Sequence, residues 1–113
     1  MLIGKIAIYF AIFLFFIDLL LRRGYEVGKT LFYYRSHSDK EVDFVLRQRT
    51  KVEQLLQVCY DMSSEKTMRR ELNALVECAH ELQCDRLTVV TCNMARVIEY
   101  KGKSVQIVPI VEF

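Results

Sequence analysis

A chain of 113 residues with 52% hydrophobic residues has room for one domain at most, and that domain can bury a core without disulfides or a structural metal. The 16 Lys and Arg residues stand against 14 Asp and Glu, so the net charge of +2 gives no general electrostatic reason to bind nucleic acid. The four cysteines have neither zinc-site nor CxxC spacing, which favours small buried side chains in a reducing compartment and hence a cytoplasmic protein.

An apolar segment at residues 6–21, interrupted only by Asp18, is the first predicted element. The pattern is typical of a helix that is buried on most faces and that ends at the next glycine. It also fits membrane association through residues 1–21, although about twenty consecutive apolar residues are needed to span a bilayer. We therefore divide the chain into an N-terminal helix at residues 1–23, buried or membrane-associated, and an α/β domain at residues 24–113.

Three strands are predicted next. Residues 31–35 and 42–48 alternate between apolar and polar side chains, with a polar turn between them. Residues 52–60 follow a very short turn, so this third strand is expected to return antiparallel to the second. Three aromatic side chains of the first strand are expected to be exposed: Phe32, Tyr33 and Tyr34.

The second half of the chain predicts a helix and three more strands. Residues 65–83 place apolar side chains every three or four positions, as one face of an amphipathic helix does. Residues 86–92 have a continuous apolar centre, typical of a strand covered on both faces. Residues 96–100 and 104–111 flank a glycine turn and predict a hairpin. The order corresponds to the αβββαβ core of the restriction-endonuclease-like fold, a mixed central sheet flanked by helices, plus a C-terminal strand pair.

Polar residues on the second and third predicted strands follow the layout of a nuclease-type metal site. Such a site holds Mg²⁺ with two carboxylates, because the cation prefers charged oxygen ligands, and it uses a lysine to activate water. Asp43 stands at the first carboxylate position, Gln57 at the second and Cys59 at the lysine position. Strand alternation predicts Glu53, Gln57, Cys59 and Asp61 on one face, so Asp43 and Asp61 are the candidate metal ligands. Asp43 also fits a half-buried acid that pairs with an arginine or caps a backbone amide, and Cys59 fits a small core residue.

Four segments, taken as a series with Arg70-Glu71 and Ala74-Leu75 of the second predicted helix, carry a family resemblance: LLRRGYEV at 20–27, FYYR at 32–35, KEVDFV at 40–45 and QVCYD at 57–61. They resemble the uncharacterised C-terminal domain of a prokaryotic family of AAA-type ATPases, a domain that is itself similar to the PD-(D/E)XK nuclease superfamily. The resemblance implies an ATPase domain upstream, so this chain is expected to be a truncated copy. It also implies an accessory role beside an ATPase.

The expected function is therefore that of a non-catalytic accessory or interaction domain with a degenerate nuclease-like site and no cofactor. Its expected partner is an AAA-type ATPase domain or a second copy of the chain. One alternative is a weak Mg²⁺- or Mn²⁺-dependent DNA nuclease that uses Asp43, Asp61 and Glu41. Another is a small protein anchored in a membrane by a single span. Nucleic-acid binding without cleavage would need a local basic patch, for which the candidates are Arg22, Arg23, Arg35, Lys40, Arg47, Arg49 and Lys51.

Overall fold

A computed structural model of the protein describes residues 2–113, with side chains from residue 7 onward. The elements are α1 (Leu2–Arg22), β1 (Leu31–Arg35), β2 (Glu41–Gln48), β3 (Lys51–Val58), α2 (Glu65–Leu82), β4 (Leu87–Thr91), β5 (Arg96–Tyr100), β6 (Lys103–Pro109) and a short 3-10 helix (Ile110–Glu112). The six strands form one sheet in the order β1-β2-β3-β4-β6-β5. The fold is α/β with a mixed sheet, because β4 pairs parallel with β3 and β6 while the other neighbours are antiparallel.

The two helices cover opposite faces of this sheet. Neighbouring strand residues divide between two separate cores, with Leu55 in one and Leu56 in the other, as the alternation of a strand requires. The core beneath α1 contains Phe16 and Leu20, which are fully buried. The core beneath α2 includes Leu75, also fully buried. Each helix therefore shields one face of the central strands.

The helix α2 begins and ends through local chemistry that the sequence contains. The Ser64 side chain accepts a hydrogen bond from the backbone N–H of Thr67, which caps the first turn. At the other end Gln83 adopts a left-handed conformation with φ of 55°, and its backbone N–H bonds to the carbonyl of Ala79. The helix therefore ends at Leu82, one residue before the predicted end.

Strand β4 is buried along its whole length and lies between β3 and β6, as its continuous apolar centre predicts. The last two strands form the predicted hairpin, with Lys101 and Gly102 both at positive φ in its turn. Within the hairpin, β6 takes the inner position against β4 and β5 forms the edge. Val105 and Ile107 of β6 are fully buried against the α2 side, as expected of a strand with a neighbour on each edge.

The expectation that three aromatic side chains of β1 are exposed is wrong for two of them. Phe32 and Tyr34 lie on the α2 side of the sheet and pack against its core, whereas Tyr33 points the other way and is 55% exposed. The reason is the two-residue period of the strand. The Tyr34 hydroxyl also donates to Glu81 of α2 at 2.6 Å, which ties the edge strand to the helix.

The outer face of α1 is apolar. Phe16 and Leu20 are buried beneath the helix, and Phe13 stacks on Phe44 of β2 with ring centroids 5.0 Å apart. The outward-facing large apolar side chains are 44–63% exposed: Ile8, Phe10, Leu14, Phe15 and Leu21. No helix within the described residues is both long enough and apolar enough to cross a membrane. All four cysteines are free, and three of them are buried.

Candidate functional site

The candidate site lies where strands β2 and β3 separate. Their pairing runs as far as Phe44 and Leu56 and stops there, so the strands diverge beyond this point. A bulge bends β2 at the same place. Val45 pairs with Phe32 and Val42 pairs with Tyr34, so β2 has one residue more than β1 between these two pairs. We call this region the fork. Asp43 of β2 and Gln57 of β3 face each other across it.

Side chains at the fork take over the hydrogen bonds that the separated strands no longer make. Asp43 Oδ2 accepts from the backbone N–H of Val58 at 2.9 Å, and Gln57 Oε1 accepts from the backbone N–H of Asp43 at 2.8 Å. Gln57 Nε2 donates to the carbonyl of Glu41 at 3.0 Å and to Glu71 Oε2 of α2 at 2.9 Å. The amide of Gln57 thereby connects β2, β3 and α2.

Two of the carboxyl groups that line the cleft beside the fork, those of Asp43 and Glu71, are partly buried. Burial raises the pKa of Asp43 to about 6, with further increases from the charges of Glu71 and Glu41 and an opposing effect from the Val58 N–H. Burial also raises the pKa of Glu71, although Arg70 and the hydrogen bond from Gln57 favour its charged form. Since each negative charge disfavours the other, the cleft favours the uptake of a proton or a cation.

Cys59 stands where the layout of a nuclease would place a lysine. The side chain is buried, and its thiol lies 3.5 Å from the carbonyl oxygen of Asp61. Burial is the main cause that raises the pKa of Cys59 to about 11, so the group is a neutral thiol at physiological pH. It supplies no positive charge for a phosphate or an attacking water.

The cleft has a volume of about 390 Å³, and its walls come from both helices. Tyr9 of α1 reaches it, and burial raises the pKa of this phenol to about 12. Lys40 and Arg70 also line the cleft. The cations in the cleft are therefore contributed by the turn before β2 and by α2, whereas β3 contributes none.

Asp61 lies in a neighbouring pocket with Cys59, outside the cleft that contains Asp43. Its Oδ1 atom accepts from the backbone N–H of Ser63 at 2.8 Å, a turn contact just before α2. Within residues 2–113 no group of three or more His, Cys, Asp and Glu side chains is arranged to hold a metal ion. Asp43 and Asp61, the predicted metal ligands, thus line different pockets.

Glu53 does not lie on the same face of β3 as Gln57, although strand alternation predicts that it does. A second bulge interrupts β3, because Leu46 pairs with Gln54 and the next residue of β2 pairs with Val52. The extra residue is Glu53, which lines a different cavity together with Gln54. A bulge shifts the side-chain alternation by one residue, and apolar periodicity alone does not reveal it.

Two residues of the site, Glu71 and Tyr9, are absent from the predicted set. Glu71 precedes the buried Leu72 and lies four positions before Leu75, so helical spacing places it at the edge of the apolar face. That spacing is the signal that could have identified it. Tyr9 lies in the apolar segment, and only the packing of α1 on the sheet brings it to the fork.

The fold and the fork define an α/β protein with a six-stranded mixed sheet and a polar cluster between two diverging antiparallel strands. The profile of one family, described as Domain of unknown function (DUF4143), matches residues 14–113. The chain belongs to this family. No curated protein and no solved structure matches the chain.

Proposed function

We propose that this chain is a non-catalytic interaction domain with a restriction-endonuclease-like fold, in which a nuclease-type site has become a structural cluster. The observation that carries the proposal is the bonding of Gln57. Both of its donor hydrogens are used, one by Glu41 and one by Glu71, and its oxygen accepts from Asp43. A side chain so fully engaged holds the strands and the helix together, and its amide offers a metal no negative charge.

The chemistry of the remaining groups supports the same conclusion. Asp43 uses one carboxylate oxygen to bond the Val58 N–H, the backbone contact expected of a structural acid. Cys59 is a neutral buried thiol, because its pKa is raised to about 11. Two of the three groups on which metal-dependent hydrolysis depends are thus replaced by neutral side chains.

The outer face of α1 is the surface that we propose for the partner. Phe10 and Phe15 are each 57% exposed and Leu14 is 63% exposed, which is unusual for large apolar side chains so close together. A protein partner, either an AAA-type ATPase domain or a second copy of the chain, would cover them. Charge favours a protein over nucleic acid, since Arg22 and Arg35, two members of the basic set, already pair with Asp18 and Glu41.

A DNA-cleavage assay tests the proposal directly. Purified protein is incubated with supercoiled and linear DNA in Mg²⁺ or Mn²⁺, beside Asp43→Asn prepared in the same way. We expect no cleavage above the level of the variant. Cleavage by the wild-type protein that Asp43→Asn abolishes would refute the non-catalytic function.

A weak metal-dependent nuclease is the second candidate function. The observation that favours it is Glu71, whose carboxylate lies 2.9 Å from Gln57 Nε2 and raises the pKa of Asp43. In this alternative Glu71 would replace the missing second carboxylate, and Gln57 would contribute an amide. It requires Mn²⁺-dependent cleavage to be lost in both Glu71→Gln and Asp43→Asn, and calorimetry to detect Mn²⁺ binding at millimolar concentration.

A further inference from the structure

A second polar cavity, of about 320 Å³, lies apart from the fork and on the α1 side of the sheet. It opens where α1 ends, between Leu20 and the central strands. Three adjacent strands provide a polar row within it, with Gln54 from β3, Thr88 from β4 and Gln106 from β6. The apolar core beneath α1 thus gives way to a polar surface at one end of the sheet.

The bulge in β3 builds one wall of this cavity. Because Glu53 is the extra residue, it lines the cavity together with its neighbour Gln54. In a regular strand the two side chains would point to opposite faces. Bulges are enriched beside functional sites, where they redirect a side chain.

The polar groups of this wall are buried to an extent that is costly without ligands or partners. Gln54 is 5% exposed and Thr88 is 2% exposed, and Gln54 Nε2 donates to Thr88 Oγ1 at 2.9 Å. Glu53 Oε2 is buried and has no hydrogen-bond partner among the described residues. Its other oxygen, Oε1, forms an ion pair with Arg86 at 3.6 Å, which is longer than a hydrogen bond. An unpaired buried carboxylate oxygen attracts a hydrogen-bond donor.

Charges of both signs surround the polar row. Arg86 stands beside Glu53, and the cavity is also lined by Arg23 and Glu112. The guanidinium of Arg23 lies 4.8 Å from the centre of the Phe113 ring and donates to the Phe113 carbonyl, which holds it in place. A cavity lined by two cations, two anions and neutral amides is complementary to a small molecule that carries one positive and one negative charge.

We propose that this cavity binds a small zwitterion of the α-amino-acid class with a polar side chain. The ammonium group donates to Glu53, and the carboxylate accepts from Arg86. The polar side chain bonds to the row formed by Gln54, Thr88 and Gln106, whose amide and hydroxyl groups both donate and accept. This inference is independent of the proposed interaction role and of the fork.

Isothermal titration calorimetry with L-glutamine, and with L-leucine as the apolar comparison, tests the proposal on the 113-residue protein. We expect L-glutamine to bind and L-leucine to bind at least about tenfold more weakly, since the polar row would face a chain without hydrogen-bonding groups. Glu53→Gln should weaken L-glutamine binding by about tenfold or more, because a charged contact is lost. The matched control is Glu99→Gln, at an exposed position of β5, which should bind like the wild type.

Amide chemical-shift mapping of the wild-type protein keeps the test independent of any variant. On addition of L-glutamine, the shifts should concentrate at Gln54, Thr88 and Gln106 and leave the fork unchanged. The proposal is overturned if L-glutamine produces no heat and no shifts at millimolar concentration, if L-leucine binds equally well, or if the shifts map to Asp43 and Gln57. The first two results would leave the proposed function of the fork unaffected, whereas shifts at Asp43 and Gln57 would place a ligand at the fork and contradict its purely structural role.

Discussion

Asp43→Asn should stabilise the protein at neutral pH, because burial of the ionised Asp43 side chain destabilises the folded state. Burial raises the pKa of Asp43 from 3.8 to about 6. At about 1.4 kcal/mol per pKa unit, this shift corresponds to about 3 kcal/mol. This shift already includes the opposing effect of the Val58 N–H, and asparagine keeps an oxygen for that bond, so we expect a net gain of about 2–3 kcal/mol.

The pH dependence has a definite sign. A folded-state pKa above the unfolded value means that the folded protein binds the proton more tightly. The contribution of Asp43 to stability is therefore fully present below pH 3.8 and is lost as the pH rises through about 6. The difference between the variant and the wild type should be largest at neutral pH and should diminish towards about pH 4.

Urea denaturation of both proteins at several pH values between about 4 and 7.5 measures this difference. Glu71→Gln should remove part of the pH dependence, because the charge of Glu71 raises the pKa of Asp43. The slope that remains in Asp43→Asn should belong to Glu71, whose pKa is also raised by burial. A wild-type protein that is more stable than Asp43→Asn at neutral pH would refute the reasoning. Such a result would mean that a cation or an arginine stabilises the Asp43 anion by more than its burial costs.

Three further measurements test the structure. Gln57→Leu should lower the free energy of unfolding, measured in urea, by about 2–4 kcal/mol, because it leaves the Asp43 N–H and the Glu41 carbonyl unpaired. An unchanged urea midpoint would contradict the role of the Gln57 amide. Burial raises the pKa of Cys59, so mass spectrometry should detect its alkylation later than that of the less buried Cys92; equal rates would mean that the fork is open. Phe44→Ala should lower the free energy of unfolding by about 3–5 kcal/mol, measured by thermal or urea unfolding, because it removes the ring on which α1 packs. Tyr33→Ala, at an exposed position, should lower it by less than about 1 kcal/mol. Similar losses in the two variants would mean that α1 does not pack on Phe44.

The candidate site could be predicted in part. Asp43 and Gln57 lie on strands that the sequence predicts as an antiparallel pair, and a pair joined by a short turn places such residues near one another. The hydrogen bonds that Asp43 and Gln57 make at the fork could not be predicted. Whether Gln57 bonds a backbone carbonyl or a metal depends on where the strands separate and on the approach of Glu71, both of which are tertiary contacts.

The sequence by itself determined the helices and strands, because apolar periodicity and capping residues act within a few positions of the chain. The amphipathic spacing of α2, the continuous apolar centre of β4 and the glycine turn of the last hairpin are local features, and the structure contains all three. The tertiary structure alone decided the two bulges, the inner position of β6 and the side of the sheet that α1 covers. These depend on which side chains fill the spaces between distant segments, and no local pattern encodes that fit. For this reason the fork and the cavity beside Glu53 became visible only in the folded chain.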